Sequence, residues 1–170
     1  MELSMLDWIQ SNLRCGILDS VMTAITGLGD GGWIWIALTV LLLLFPGTRK
    51  TGMAMALALV LDLLLCNVIL KPLVARVRPF DVNTAIQLLI EPPSDYSFPS
   101  GHTAASFTAA STLYFRKSRL WIPAVILAGL IAFSRLYLYV HYPADVLAGA
   151  LFGILFGWIG SALITGLQKG

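Results

Sequence analysis

Residues 51–70 read TGMAMALALVLDLLLCNVIL and contain one charged side chain, that of Asp62. About 20 consecutive apolar residues in an α-helix match the thickness of the hydrocarbon core of a bilayer. Inside that core the backbone has no water to bond, so a lipid-exposed segment has to be helical. This stretch therefore predicts a transmembrane helix and, with it, an all-α integral membrane protein.

Four other stretches of the chain are similarly apolar and nearly free of charge. They lie at about residues 32–46, 101–115, 120–138 and 145–167. The chain has 170 residues, of which 58% are hydrophobic and 12% charged, whereas soluble domains have roughly 45–50% and 25%. We therefore predict a single domain over residues 1–170, with a bundle of five transmembrane helices within residues 32–170.

The first 30 residues follow a different pattern. Apolar side chains such as Leu18, Val21 and Met22 recur at helical spacing, with polar side chains between them. This pattern is typical of an amphipathic helix that lies along a membrane surface. Residues 1–30 are predicted to be interfacial, and a short sixth span is the alternative.

Basic residues indicate how the helices are oriented. The loops after the first and third spans, and the segment after the fifth, carry Arg49, Lys50, Arg116, Lys117, Arg119 and Lys169. These positions share one side of a five-span arrangement, and the positive-inside rule makes that side cytoplasmic. The outward-facing loops nevertheless contain Lys71, Arg76, Arg78 and Arg135. Because cations on that side go against the positive-inside rule, they indicate a role other than setting the orientation of the helices.

Three polar segments at the outward face have the residue types of a reactive site. Residues 71–79 read KPLVARVRP, with three cations in eight residues, which suits either a phosphate site or a cluster that binds lipid headgroups. Residues 98–102 read FPSGH and begin a span, so that an anion there would meet free backbone N–H groups, a hydroxyl and an imidazole. An ordinary helix cap with an interfacial histidine is the alternative.

The third segment, residues 134–145, reads SRLYLYVHYPAD. Its His141 and Asp145 are four residues apart, close enough for the carboxylate to bond one ring nitrogen. Such a carboxylate fixes the tautomer and stabilises the imidazolium, which frees the other nitrogen to attack. A helix cap with an ion pair is the alternative for this segment taken alone.

Together the three segments place the chain's only two histidines among cations at one membrane face. A metal is not expected, because the cations would repel it and no zinc-type spacing is present. A net charge of +2, without a basic stretch interleaved with aromatics, argues against a nucleic-acid partner.

The motifs Lys71-x6-Arg78-Pro79, Pro99-Ser100-Gly101-His102 and Ser134-Arg135-x5-His141-x3-Asp145 resemble the three signature motifs of the type 2 phosphatidic acid phosphatase (PAP2) superfamily. The resemblance covers about residues 15–165. That family contains membrane lipid phosphatases and soluble vanadium haloperoxidases, and the predicted spans favour the former. The chain looks closest to small bacterial undecaprenyl-diphosphate and phosphatidylglycerophosphate phosphatases, many of which have six spans.

The resemblance implies a role for each motif residue. His141 would be the nucleophile, Asp145 the group that orients it, and His102 the general acid. The phosphate oxygens would be held by Lys71, Arg78, Ser100, Gly101 and Arg135. The resemblance to the lipid phosphatases of the family implies that this chain needs no metal, and no other cofactor is predicted.

The expected function is a metal-independent lipid phosphatase at the outer face of a bacterial cytoplasmic membrane. Its partners would be the bilayer and a lipid phosphate, first of all undecaprenyl diphosphate. Phosphatidylglycerophosphate and phosphatidic acid are alternative substrates. A non-catalytic binder or transporter of anionic lipids is the alternative from another class, and retention of both histidines argues against it. The sequence predicts no oligomeric state.

Other polar residues receive simpler interpretations. Arg76 is predicted to contact lipid headgroups, and Asp62 to make a buried interhelical hydrogen bond. The tyrosines of the third motif are predicted to form part of an aromatic belt at the membrane interface. The loop over residues 80–98 is either a lid or a simple connection.

Overall fold

A computed structural model describes residues 1–166 of the chain, and the regular structure within that range is entirely helical. The α-helices in these residues are α1 (Glu2–Leu13), α2 (Gly16–Gly29), α3 (Trp33–Leu44), α4 (Arg49–Asp62), α5 (Lys71–Val74), α6 (Pro79–Val82), α7 (Gly101–Phe115), α8 (Trp121–Tyr137) and α9 (Pro143–Gly166). A 3-10 turn over Asp30–Gly32 joins α2 to α3, and a π-helix over Leu63–Leu70 continues α4 into α5. The predicted all-α bundle is confirmed.

Each of the five predicted spans corresponds to a helix or to a continuous helical run. The agreement is closest for α7, where the predicted and observed bounds coincide. Residue 167, at the end of the last predicted span, and Lys169, used for the orientation, lie outside the described residues.

Three helical runs in the described part are long and apolar enough to cross a membrane. They are Gly16–Leu44, Arg49–Val82 and Pro143–Gly166, and Trp121–Tyr137 is a shorter apolar helix. Large apolar side chains cover the outside of the bundle, where Trp33, Leu147 and Leu151 are 65–70% exposed. Such a surface is suited to lipid rather than water.

The N-terminal segment differs from the single amphipathic helix that the sequence predicts. It forms two helices, and the inward face of α2 holds Thr26 and Gly29 as well as Met22. Val21, on the apolar face of the predicted amphipathic helix, is 42% exposed, while Ile25 of the same face packs against buried residues. The side of α2 that faces the bundle therefore carries both apolar and polar side chains.

Helices α7 and α9 meet along a row of glycines on α9, formed by Gly149, Gly153 and Gly157. A Cβ atom at Gly153 would lie 2.5 Å from the carbonyl oxygen of Ala104. Where α7 and α9 begin, the backbone N–H of Ser100 donates to the carbonyl oxygen of Asp145 at 3.1 Å. This close contact fixes the second and third motifs relative to each other.

Replacing Gly153 with alanine is expected to destabilise the protein by roughly 1–3 kcal/mol, because the added methyl group forces two backbones apart. The matched control is Gly129→Ala on α8, where a Cβ meets nothing within 4 Å. Thermal unfolding in detergent provides the measurement. Equal midpoints for the two variants would contradict this account of the α7–α9 contact.

Candidate active site

Six of the eight predicted site residues line one polar cavity of about 500 Å³ at one end of the bundle. These are Lys71, Arg78, Gly101, His102, Arg135 and His141. Asp145 is fully buried beside His141. Ser100 is also fully buried and is not among the lining residues, and its Oγ accepts a hydrogen bond from Thr103 at 3.0 Å. The structure thus brings the three motifs together, with the Ser100 hydroxyl turned away from the cavity.

His141 lies in the short connection between α8 and α9 and is 1% exposed. Its Nδ1 is 3.5 Å from Oδ2 of Asp145, and its Nε2 is 3.3 Å from Nη1 of Arg78. Burial lowers the pKa of His141 below its usual value, Arg78 acts in the same direction, and Asp145 opposes them. The ring is therefore neutral near pH 7, the form in which Nε2 can attack an electrophile.

The carboxylate of Asp145 is fixed by three donors. Its Oδ2 accepts hydrogen bonds from Ser97 Oγ at 2.5 Å and from the backbone N–H of Tyr142 at 2.9 Å. Its Oδ1 accepts one from Nη1 of Arg76 at 2.6 Å. With its position set in this way, Asp145 can in turn set the orientation of the His141 ring.

The prediction that Arg76 contacts lipid headgroups is wrong. Besides Asp145, its guanidinium contacts Glu2 of α1 at 2.5 Å and lies over the Tyr142 ring at 3.9 Å. The reason is that the chain turns sharply after α5, where Ala75 has a φ of 48°, and folds back over the third motif. Arg76 thereby links the N-terminal helix to the carboxylate behind His141.

The tyrosines of the third motif do not form an interfacial belt. Tyr137 and Tyr139 are at most 1% exposed, and their hydroxyls donate to Asp19 and Asp7 at 2.6 Å. They fasten α1 and α2 to the segment that carries His141. Their burial shows that α1 and α2 cover this segment instead of leaving it at the membrane surface.

His102 occupies the first turn of α7 at the edge of the cavity, and its side chain is 21% exposed. Its Nε2 is 2.8 Å from Oδ1 of Asp30 in the 3-10 turn. Gly29 makes this approach possible, because a Cβ at that position would lie 2.8 Å from Cδ2 of the His102 ring. Neither Asp30 nor Gly29 belongs to a recognisable motif.

Arg135 is a buried cation whose charge has no carboxylate in contact among residues 1–166. It is 2% exposed, its Nη1 donates to Thr26 at 2.5 Å, and its Nε has no partner in that part of the chain. A buried, uncompensated guanidinium that lines a cavity favours an anion in that cavity.

Lys71 and Arg78 are both paired with Asp95, a residue of the loop before the second motif. Arg78 is 3% exposed and also donates to the carbonyl oxygen of Val140 at 2.7 Å. Although burial opposes the negative charge, the two cations outweigh it and lower the pKa of Asp95 to about 2. The ionised carboxylate of Asp95 is therefore bound to Lys71 and Arg78, the two cations that would otherwise hold an oxyanion.

A second cavity, of about 620 Å³, adjoins the first between α3 and α4. The two cavities share Lys71, Asp95, Gly101 and His102 in their linings. Apolar side chains such as Ile36, Val40, Leu43, Leu59, Val60 and Leu63 form most of the remaining wall. A polar cavity that opens into an apolar one fits an amphiphile with an anionic head.

Asp62 lines the apolar cavity and is 2% exposed. Its contact goes to Cys66 in the same helical run, and its Oδ1 has no hydrogen-bond partner in the described part of the chain. The predicted interhelical hydrogen bond is therefore not present.

Within residues 1–166, no three His, Cys, Asp or Glu side chains lie close enough together to hold a metal ion. The positive charge in the polar cavity comes from Lys71, Arg78 and Arg135. Such an arrangement can stabilise an oxyanion while a neutral imidazole attacks the atom that carries it.

Comparisons with known proteins agree with this arrangement. The sequence profile described as "PAP2 superfamily" matches residues 50–168. The chain is 41% identical over 128 residues to an undecaprenyl-diphosphatase from Sulfolobus acidocaldarius, an alignment that covers 75% of this chain. It spans 60% of that relative's length.

Two solved structures share the fold. The crystal structure of Aquifex aeolicus LpxE has a TM-score of 0.79 and 31% identity, with 94% of this chain and 93% of that chain covered. A transmembrane PAP2-type phosphatidylglycerolphosphate phosphatase from Bacillus subtilis has a TM-score of 0.77 and 29% identity, with 99% and 84% covered.

Proposed function

The chain belongs to the PAP2 superfamily, as its three motifs predict, and from this premise we propose that it is a lipid phosphatase that works through a phosphohistidine without a metal. The observation that carries this proposal is the polar cavity. It holds His141 Nε2 beside Arg78, contains the uncompensated Arg135, and opens into an apolar cavity.

In the first step of the proposed reaction, Nε2 of His141 attacks phosphorus in line with the oxygen that leaves. The P–N bond forms as the P–O bond breaks, and the leaving oxygen takes a proton from His102. Lys71, Arg78 and Arg135 stabilise the charge on the non-bridging oxygens, with the backbone N–H of Gly101 at the start of α7. In the second step, water displaces His141 and gives a proton back to His102.

We propose undecaprenyl diphosphate as the substrate. The apolar cavity suits a long hydrocarbon chain, and the relative from Sulfolobus acidocaldarius is an undecaprenyl-diphosphatase. Phosphatidylglycerophosphate is the second candidate, because the Bacillus subtilis phosphatase of that specificity matches this chain over 99% of its length.

We further propose that α3, the α4–α5 run, α7, α8 and α9 cross the cytoplasmic membrane and that the site faces outward. The basic loops support this orientation, since Arg49 begins α4 and Arg116 follows α7, at the ends away from the polar cavity. In a Cys15→Ser background, which removes the exposed native thiol, a membrane-impermeant maleimide should label a cysteine introduced at residue 84, in the loop over the site, in intact cells. Labelling of a cysteine at residue 117 instead would reverse the proposed orientation.

Phosphate release by the detergent-purified protein in EDTA tests the reaction. The panel contains undecaprenyl diphosphate, phosphatidylglycerophosphate, phosphatidic acid and a soluble phosphate ester. We expect EDTA-resistant release that is fastest with undecaprenyl diphosphate. Release that EDTA abolishes would contradict the metal-independent reaction, and binding of these lipids without release would favour a lipid-binding protein.

Replacing Asp95 with asparagine should strengthen inhibition by inorganic phosphate, because it removes the anion that competes for Lys71 and Arg78. The Asp95 side chain is 50% exposed, so the expected fall in Ki is only about three- to tenfold. Asp81→Asn, on α6 outside both cavities, is the matched control. An unchanged or higher Ki in Asp95→Asn would mean that Asp95 positions the cations instead of competing for them.

A further inference from the structure

The turn between α2 and α3 carries a carboxylate into contact with the second histidine of the site. Asp30 Oδ1 lies 2.8 Å from His102 Nε2, although 72 residues separate the two in sequence. Gly31 and Gly32 follow Asp30 with φ values of 55° and 69°, which glycine adopts readily, and they form the tight turn. The local backbone is thus specialised to present Asp30 at the cavity edge.

We infer that Asp30 is a positioning residue, whose carboxylate holds Nε2 of His102 so that Nδ1 gives its proton to the leaving oxygen. This inference rests on the proposed function, in which His102 is the general acid. It adds a residue outside the three motifs, supplied by the N-terminal helices.

The charges around His102 explain why such a residue is needed. Burial of the ring disfavours a positive charge on it, and Arg135 of α8 and Lys71 of α5 act in the same direction, whereas a general acid has to carry that charge. Asp30 is the carboxylate in contact with His102 in the described part of the chain. It favours the imidazolium and fixes which nitrogen faces the substrate.

The site then contains two histidine–carboxylate pairs with opposite tasks. His141 is buried at 1% exposure and 3.5 Å from its carboxylate, which suits a ring that is neutral before it attacks. His102 is more exposed and only 2.8 Å from its carboxylate, so that of the two rings it is the better placed to carry a charge before it donates. Two similar rings with environments that differ in this way can serve as base and acid at one pH.

The proton balance is complete in both steps. As the P–O bond breaks, the proton on Nδ1 of His102 passes to the leaving oxygen, and the ring becomes neutral while Nε2 keeps its proton toward Asp30. When water attacks the phosphohistidine, Nδ1 takes a proton from that water, and the electron pair of the P–N bond returns to His141. Asp30 stays ionised throughout.

Asp30→Asn is the test variant, because it keeps the size of the side chain and removes its charge. We expect kcat to fall about 10- to 100-fold with little change in KM, since the substrate's own contacts remain. The alkaline limb of the rate profile should move to lower pH, because Asp30 no longer stabilises the imidazolium against Arg135 and Lys71. Asp30→Glu should recover part of the lost rate.

The leaving group gives an independent readout. A nitrophenolate leaves without protonation, so Asp30→Asn should slow 4-nitrophenyl phosphate hydrolysis much less than hydrolysis of a lipid monophosphate. Asp81→Asn is the control, because Asp81 is a carboxylate on α6 outside both cavities. Its rate profile should match that of the unaltered protein.

If Asp30→Asn slowed hydrolysis of the nitrophenyl ester and of the lipid monophosphate equally, with an unchanged pH profile, the inference would be overturned. Asp30 would then have only a structural role. An unchanged rate would overturn it as well. Failure of the proposed function would give a different result. In that case His141→Ala would keep its phosphatase activity, regardless of the rate measured for Asp30→Asn.

Discussion

Replacing His141 with alanine is expected to reduce phosphate release by roughly 10⁴-fold or more, the range in which loss of a nucleophile falls. His141 Nε2 is the ring nitrogen that faces the cavity cations, while Nδ1 faces Asp145. In His141→Ala, a water molecule in the place of the ring would not be held in an orientation suited to attack. The loss should therefore appear in kcat rather than in KM.

Rapid quenching with a substrate labelled in its terminal phosphate gives the direct measurement. The unaltered protein should acquire label that survives alkali and is lost in acid, as a phosphohistidine does. His102→Ala is the informative companion, because it retains the nucleophile and loses the group that activates water, so its label should persist. Label on His141→Ala at a similar level would show that another residue is the nucleophile.

Replacing Arg135 with alanine should lower kcat/KM by about 10²–10³-fold and leave the folded state as stable as before, or more stable. The rate falls because a preorganised cation is lost from the transition state. Stability does not fall, because the buried guanidinium has no carboxylate in contact within residues 1–166, and its desolvation is costly. Kinetics and thermal unfolding of the same preparation measure the two effects.

Arg135→Lys separates charge from geometry. Lysine keeps the charge and loses the planar fork, so an intermediate loss of about tenfold is expected. Arg116→Ala is the matched control at the opposite end of the bundle, where Arg116 bonds Thr165. Parallel loss of activity and stability in Arg135→Ala would mean that Arg135 holds the fold together instead of holding an anion.

The helices could be predicted because the signal for a membrane span is local. Hydropathy over about 20 residues is a property of the segment itself, and α7 and α8 begin and end within one residue of their predicted bounds. The eight motif residues could be found for a similar reason, since each motif is short and keeps its own spacing.

The partners of those residues could not be predicted from spacing. Four residues, Asp30, Arg76, Asp95 and Ser97, contact the motif residues only because separate segments fold over the end of the bundle that holds the polar cavity. No periodicity connects Arg76 with Asp145, which is 69 residues away. The sequence around a single charged loop residue looks the same whether that residue contacts solvent or a catalytic group.

The N-terminal segment differs from the single amphipathic helix that the sequence predicts, because the apolar pattern carries no information about the polar cavity beside it. Helix α2 borders a polar cavity, so Thr26 turns inward to bond Arg135 while Val21 is partly exposed. Tyr137 and Tyr139 were misassigned for the related reason that α1 and α2 cover them. An amphipathic pattern shows that the two sides of a helix meet different environments. It does not show that the inner environment is a hydrocarbon core, and beside α2 it is a polar cavity.

The joined cavities have a consequence for how the enzyme must be assayed. Because the apolar cavity meets the polar one at Lys71 and His102, the hydrocarbon chain stays at membrane depth while the phosphate reaches the cations. The enzyme and its substrate then meet by diffusion within the plane of the membrane. The rate should follow the mole fraction of substrate in a micelle or vesicle, and adding detergent at constant bulk substrate should slow turnover by surface dilution alone.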